Sequence, residues 1–128
     1  MNRIIVTPLV GFENVNFGMA RSEVRHILGT PIREFKKSKY SKNTTDDFGS
    51  YHVFFDMDDK LEAVEFFEET LISDNQGNDF PKAAEALNKL PYHFKVDSDS
   101  YICSEYSIGI YAPGGRIESI LFACKGYY

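Results

Sequence analysis

Tyr51-His-Val-Phe-Phe-Asp-Met-Asp-Asp-Lys-Leu-Glu-Ala-Val-Glu-Phe-Phe67 is the stretch on which the fold turns. Two runs rich in aromatic and β-branched residues flank Met57-Asp58-Asp59, the pattern of a β-hairpin. A turn centred on Met57-Asp58 sets Val53 opposite Glu62 and Tyr51 opposite Val64. With a side-chain period of two, Tyr51, Val53, Phe55, Glu62, Val64 and Phe66 share one face. His52, Phe54, Leu61, Ala63 and Glu65 share the other. Both faces are largely apolar, so the pattern leaves open which one is covered. Helices can cover one of them. The other then either presents aromatic and acidic side chains as a binding surface, or is closed by the N-terminal segment or a second copy of the chain.

Moving outward, Met19-Ala-Arg-Ser-Glu-Val-Arg-His-Ile-Leu28 sets Ala20, Val24, Ile27 and Leu28 on one helical face, with Gly29 as a stop and Pro31 beyond it. Downstream, Asp79 is a candidate N-cap. Phe80, Ala83, Ala84, Leu87 and Leu90 follow at helical spacing until Pro91. Ser107 to Ala112 and Arg116 to Ala123 predict a second hairpin around Pro113-Gly114-Gly115. Its register sets Cys103 opposite Cys124. Two reduced thiols are the default reading and a disulfide the alternative, strained for directly opposed cysteines. Residues 33–42 read as an edge strand whose alternating lysines discourage edge-to-edge pairing.

Lys60-Leu61-Glu62-Ala63-Val64 aligns with Arg116-Ile117-Glu118-Ser119-Ile120, and Phe66 with Phe122, at a constant offset of 56. The chain therefore reads as two degenerate helix–hairpin units, 15–69 and 78–125, in one domain over 1–128. The expected class is α+β: an antiparallel β-sheet with helices packed on one face.

Charge is distributed unevenly. Residues 44–79 hold eleven acidic side chains against Lys60 alone, whereas the first 43 residues carry eight Lys/Arg and three Glu. The net charge of −5 thus conceals an acidic centre. A concentrated field of this kind suits a basic protein partner and argues against direct nucleic-acid binding, with Lys36, Lys37, Lys39 and Lys42 as the only basic run. Hydrophobic content of 43% and aromatic content of 15% exclude a disordered chain. No secretion signal and no apolar run of about 18 residues is present, which predicts a cytoplasmic protein without a membrane span.

Candidate chemistry is sparse. His26, His52 and His93 lie in no catalytic motif. Asp56-Met57-Asp58-Asp59 begins like a calcium loop, but Leu61 stands where that loop needs Gly and Phe67 where it needs Glu. No Cys/His spacing fits zinc, and Gly114-Gly115 lacks the context of a phosphate loop. Glu62, Glu65, Glu68 and Glu69 have nothing to orient or desolvate a catalytic pair. No cofactor, no metal and no enzymatic activity are expected.

Gly18-Met19-Ala20-Arg21-Ser22-Glu23-Val24-Arg25-His26-Ile27-Leu28-Gly29-Thr30-Pro31 resembles the signature Gly-Met-Thr-x-x-Glu/Gln-Val-x-x-x-Leu-Gly-x-Pro. That signature opens the repeat of SmpA/OmlA-type lipoproteins and of the β-lactamase inhibitor protein, with relatives among immunity proteins of bacterial polymorphic-toxin, contact-dependent inhibition systems. Ala20 departs from it where the family has a capping Thr, a loss of about 1 kcal/mol that Ser22 or Asn16 would have to offset. The resemblance implies a binder that grips its partner with the exposed face of a sheet.

The expected function is a cytoplasmic immunity protein that occludes a cognate toxin with a basic surface, a nuclease domain being the expected kind. Tyr51 and Phe66 are the expected anchors, and Asp56, Asp58, Asp59, Glu62 and Glu65 the steering charges. The alternatives are a self-associating scaffold that forms a homodimer, and a small-ligand-binding domain without catalysis.

Overall fold

The computed structural model describes residues 3–41 and 43–128; Lys42, the last lysine of the basic run, lies outside them. In chain order the elements are β1 (Arg3–Thr7), β2 (Gly11–Phe12), β3 (Val15–Asn16), α1 (Arg21–Leu28), β4 (Arg33–Phe35), β5 (Thr45–Asp47), β6 (Tyr51–Phe55), β7 (Leu61–Phe67), β8 (Leu71–Asp74), β9 (Lys95–Asp97), β10 (Ser100–Cys103), β11 (Ile108–Tyr111) and β12 (Ser119–Ala123). Short 3-10 turns occupy Ala84–Lys89 and Pro113–Gly115. An eight-stranded antiparallel sheet has the order β4-β5-β6-β7-β12-β11-β10-β9, so four strands from each half of the chain meet at β7 and β12. A four-stranded sheet, β3-β2-β1-β8, packs on one of its faces.

This architecture corrects the expected α+β layering. The chain is mostly β, with 42% strand and 14% helical residues. The large sheet is covered by a second sheet together with one short helix, and no layer of helices forms. The helix expected from Phe80 to Leu90 fails for local reasons. The Phe80 amide donates to the Ile72 carbonyl, and Ala83 sits in extended backbone bridged to Arg116. Both contacts hold the segment off the helical path up to Ala83, leaving about two tight 3-10 turns before Pro91. Asp79 caps no helix; its carboxylate pairs with Arg3 and hydrogen-bonds Ser73. The N-terminal Ile4-Ile5-Val6 run becomes β1, parallel to β8, and supplies part of the cover.

The helix that does form begins without a side-chain cap at Ala20. The Arg21 amide is satisfied instead by the Asp59 carbonyl at 3.0 Å, from the turn of the β6–β7 hairpin. Neither Ser22 nor Asn16 takes the role. Gly29, at φ 97°, ends the helix and donates its amide to the Arg25 carbonyl at 2.8 Å. Val24 points into the core, whereas Ile27 is 42% exposed.

The β6–β7 hairpin forms, with a register changed in two steps. The loop has three residues, Met57 to Asp59, with Asp59 at φ 61° in the left-handed region that closes such a loop. A bulge then falls between the Phe54 and Phe55 pairings, so Phe55 faces Leu61 while Val53 faces Val64 and Tyr51 faces Phe66. Two one-residue slips cancel in parity. Tyr51, Val53, Phe55, Val64 and Phe66 therefore keep their common face, but Leu61 joins them and Glu62 is turned to the other side. The second hairpin pairs Ile108 with Phe122 and Ile110 with Ile120, a slip of three from the expected register. The longer connection is held by the Ile117 amide on the Lys82 carbonyl at 2.9 Å. Cys103 consequently faces Ile108, and both cysteines are free thiols.

The core lies between the two sheets. Phe66 and Phe122 are its largest fully buried side chains, and Phe66 meets Phe12 edge-on at 5.3 Å. Phe66→Ala should lower unfolding free energy by about 3–5 kcal/mol in a urea titration. A loss under about 1 kcal/mol would contradict its placement.

Candidate functional site

The face of the large sheet that carries Phe66 is covered; the opposite face is open. Register places its side chains in straight cross-strand rows. The longest runs Arg33, Asp47, His52, Glu65, Leu121, Gly109, Ile102 and Lys95, one residue from each of the eight strands. A second row holds Phe67, Ser119, Tyr111, Ser100 and Asp97. A third holds Phe35, Thr45, Phe54, Ala63 and Ala123.

Aromatic edges organise one end of this face. The His52 ring lies edge-on between Phe35 at 5.2 Å and Phe67 at 4.8 Å. Its Nε2 stands 3.5 Å from an Asp47 oxygen. The Gly49 amide hydrogen bond and the Arg33 guanidinium hold the Asp47 carboxyl below its ordinary range, against a smaller opposing effect of burial. Arg33 also lies over Phe35, and Lys37 over Phe54 at 4.3 Å. At the centre, residues 124–128 fold back onto the sheet. Tyr127 packs with Leu121 against Phe54, Ala63 and Ala123. Tyr128 lies over Gly109 so closely that a Cβ there would fall 1.9 Å from its hydroxyl oxygen. Burial, followed by Tyr127 and Glu65, pushes the Tyr128 hydroxyl up to about 12.

The expected site residues divide between the two faces. Tyr51 and Phe66 lie on the covered face. Phe66 is fully buried, and the half-buried Tyr51 ring stacks on Phe48 at 5.4 Å and meets Phe12 edge-on. Both are core residues and are withdrawn as contact anchors. Of the steering charges, Asp59 accepts from Arg21 Nε at 2.8 Å and from the Asn43 amide at 2.9 Å. Asp56 caps its own turn by accepting the Asp58 and Lys60 amides. Asp58 is exposed at the hairpin tip. Glu62 borders a cavity of about 220 Å³ with Lys37, Phe54 and Asp56. Glu65 sits in the middle of the open face.

Much of the acidic block is neutralised within the molecule. Asp46, fully buried, accepts from Arg21 at 2.8 Å and from both Nε and Nη2 of Arg25 at 2.8 and 2.7 Å. Asp47 pairs with Arg33, Glu68 with Arg116 and Asp79 with Arg3. Asp74 is buried and accepts from the Tyr92 hydroxyl at 2.5 Å and from the Gln76 and Asn78 amides. The carboxylates of the block outside these contacts are Asp58, Glu62, Glu65 and Glu69, with Asp56 at the turn.

Reading the hairpin alone missed the exposed Arg33, Tyr111 and Tyr128 and the half-buried Phe35 and Leu121, which belong to the same face. His52, Phe54 and Glu65 had been grouped on it by period two. Nothing in that period said which group was covered. No protein-family model matches the sequence, and no curated protein or solved structure matches the chain. Among the described residues no three His, Cys, Asp or Glu side chains converge as metal ligands, and no helix is long and apolar enough to cross a membrane.

Carboxyl environments set opposite pH responses. Asp47 and Asp59 are held low, the latter because Asn43 and Arg21 together outweigh burial. A carboxyl lowered in the folded state stabilises the fold above its unfolded value, and that contribution is lost as pH falls through the folded value. The thermal midpoint should therefore be level above about pH 5 and drop below about pH 4. Glu62 has the reverse sign, since burial and then Asp56 raise its carboxyl, so its ionised form weakens the fold at neutral pH. Glu62→Gln should raise the midpoint at pH 7 and lose that advantage near pH 3, where both states bind the proton. A lower midpoint at pH 7 would contradict this placement.

Proposed function

We propose that this chain is an immunity-type binder, a cytoplasmic protein that occludes a cognate toxin domain with the open face of its eight-stranded sheet and performs no turnover. The observation that carries the reading is that face itself. It spans roughly 34 Å from β4 to β9 and presents Phe35, His52, Phe67, Leu121, Tyr111 and Tyr128 beside Arg33 and Glu65. Half-exposed rings among charges on a rigid sheet form the composition of a contact hot spot, and a surface of this width suits the roughly 800 Å² per partner of a stable complex. The resemblance of Gly18 to Pro31 to the SmpA/OmlA-type repeat points the same way, because inhibitors of that kind grip with a sheet face.

The anchoring role passes from Tyr51 and Phe66 to Phe67 and Tyr111. The electrostatic role contracts to Asp58, Glu62 and Glu65, with Asp56 behind them. Asp59 is held by Arg21 and keeps a structural role. A basic toxin surface remains the expected complement, because Asp56, Asp58 and Glu62 lie at the hairpin end of the face and Glu65 at its middle, while the arginine-paired carboxylates are already compensated.

The test is co-expression with a toxic domain encoded immediately upstream of this chain. Cells should survive with the wild-type chain. The double variant Phe67→Ala, Tyr111→Ala should weaken the complex by about 2 kcal/mol or more, roughly 30-fold, and lose protection. Asp58→Lys should slow association several-fold at low salt while leaving dissociation unchanged. Failure of the wild-type chain to protect, or full protection by the double variant, would remove the proposal.

A further inference from the structure

We infer that the free edge of strand β9 is a homodimerisation site, at which a second copy of this chain adds antiparallel about a two-fold axis through Val96. This surface is the edge of the large sheet and is independent of its open face.

β9 ends the eight-stranded order, and no described residue pairs with its outer side. The direction of its backbone groups follows from the ladder. The Ala112 amide donates to the Asp99 carbonyl at 2.8 Å. Counting along the β10–β11 register from that bond, Tyr101 and Cys103 turn their amide and carbonyl toward β11, and Ser100 and Ile102 turn theirs toward β9. Asp97 and Lys95, opposite Ser100 and Ile102, are therefore bonded inward. Val96, between them, directs its N–H and C=O away from the sheet. A two-fold axis at Val96 lets each Val96 amide donate to the Val96 carbonyl of the other copy.

The side chains select the same register. Lys95 and Asp97 lie on the open-face side and are exposed. With Val96 opposite Val96 of the second copy, Lys95 stands opposite Asp97 of that copy, and Asp97 opposite its Lys95. Both pairs occupy non-hydrogen-bonded positions, where facing side chains are closest. A slip of two residues in either sense, which moves the axis to Lys95 or to Asp97 and again pairs outward-directed backbone groups, opposes Lys95 to Lys95 or Asp97 to Asp97. The charges thus admit one antiparallel pairing and repel its neighbours, which favours a second copy over an unrelated extended segment. On the other side of the strand Val96 is 60% exposed, beside a groove of about 470 Å³ lined by Leu87, Leu90, Phe94 and Tyr101. Pairing sets the two Val96 side chains directly together over the ends of two such grooves, removing apolar surface from water.

The experiment is sedimentation velocity at about 100 μM chain, in the range where a small edge interface associates. The wild-type chain should run at twice the monomer mass. Lys95→Asp alone and Asp97→Lys alone should each run as monomers, since each sets like charges opposite one another in its own homodimer. An equimolar mixture of the two variants should return to dimer mass, because the mixed pair restores opposite charges. These side chains are exposed, and a circular dichroism spectrum checks that each variant is folded. A monomeric wild-type chain, as expected if the edge takes a segment of another protein, overturns the inference. So does a dimer that survives either single substitution, or a mixture that stays monomeric while the wild type dimerises.

Discussion

Asp46 is a carboxylate fully removed from water, and its position dictates much of what surrounds it. An isolated buried charge would cost several kcal/mol, so two guanidiniums converge on it. Arg25 grips it with two donors, and Arg21 adds a third while its remaining nitrogens reach Asp59, Asn43 and the Thr44 carbonyl. The planar fork of Arg21 also lies on the Phe55 ring at 4.1 Å. One cluster therefore joins α1, the strand β5, and the turn of the β6–β7 hairpin. The Asp59 carbonyl on the Arg21 amide completes the link by starting the helix where no side chain caps it. This attachment seats α1 on the Phe66 face and leaves the opposite face without a helix.

The same cluster explains how an acidic centre can coexist with a modest external field. The sequence shows a run of carboxylates, but Coulombic partners come from distant positions: Arg3 for Asp79, Arg21 and Arg25 for Asp46, Arg116 for Glu68. A linear reading counts charge by neighbourhood in the chain, whereas a fold counts it by neighbourhood in space. The basic first third and the acidic middle are two halves of one set of contacts. What remains outward is a short acidic rim beside rings, and the functional reading rests on that smaller set.

The β6–β7 and β11–β12 hairpins were legible because alternation and turn residues are local signals. The first helix was legible from Val24 and Gly29. The absent layer of helices was not, since Phe80, Ala83, Ala84 and Leu87 fit a helical stripe equally well as a strand end and a short tight turn. Tertiary hydrogen bonds, from the Phe80 amide to the Ile72 carbonyl and from the Ile117 amide to the Lys82 carbonyl, decided between them. The strands β2 and β3, at two residues each, are too short to announce themselves, and the parallel partner of β1 is too remote in the chain. Tyr51 and Phe66 were assigned to the surface because period two separates the faces of a hairpin without saying which is buried. The bulge at Glu62 is a one-residue event that composition does not mark, yet it decides whether leucine or glutamate enters the core.

Parallel pairing of β1 with β8 sets Arg3 beside Leu71 and Val6 beside Asp74. Closing so large a loop is entropically slow, and the strand rich in isoleucine and valine leaves the ribosome long before its partner is made. Until β8 is made β1 can pair only with the two-residue β2, so one of its edges stays unfilled while the β6–β7 hairpin assembles. Half of the large sheet, β9 to β12, is made only after β8, and until β8 is made the nascent chain carries a sticky apolar strand.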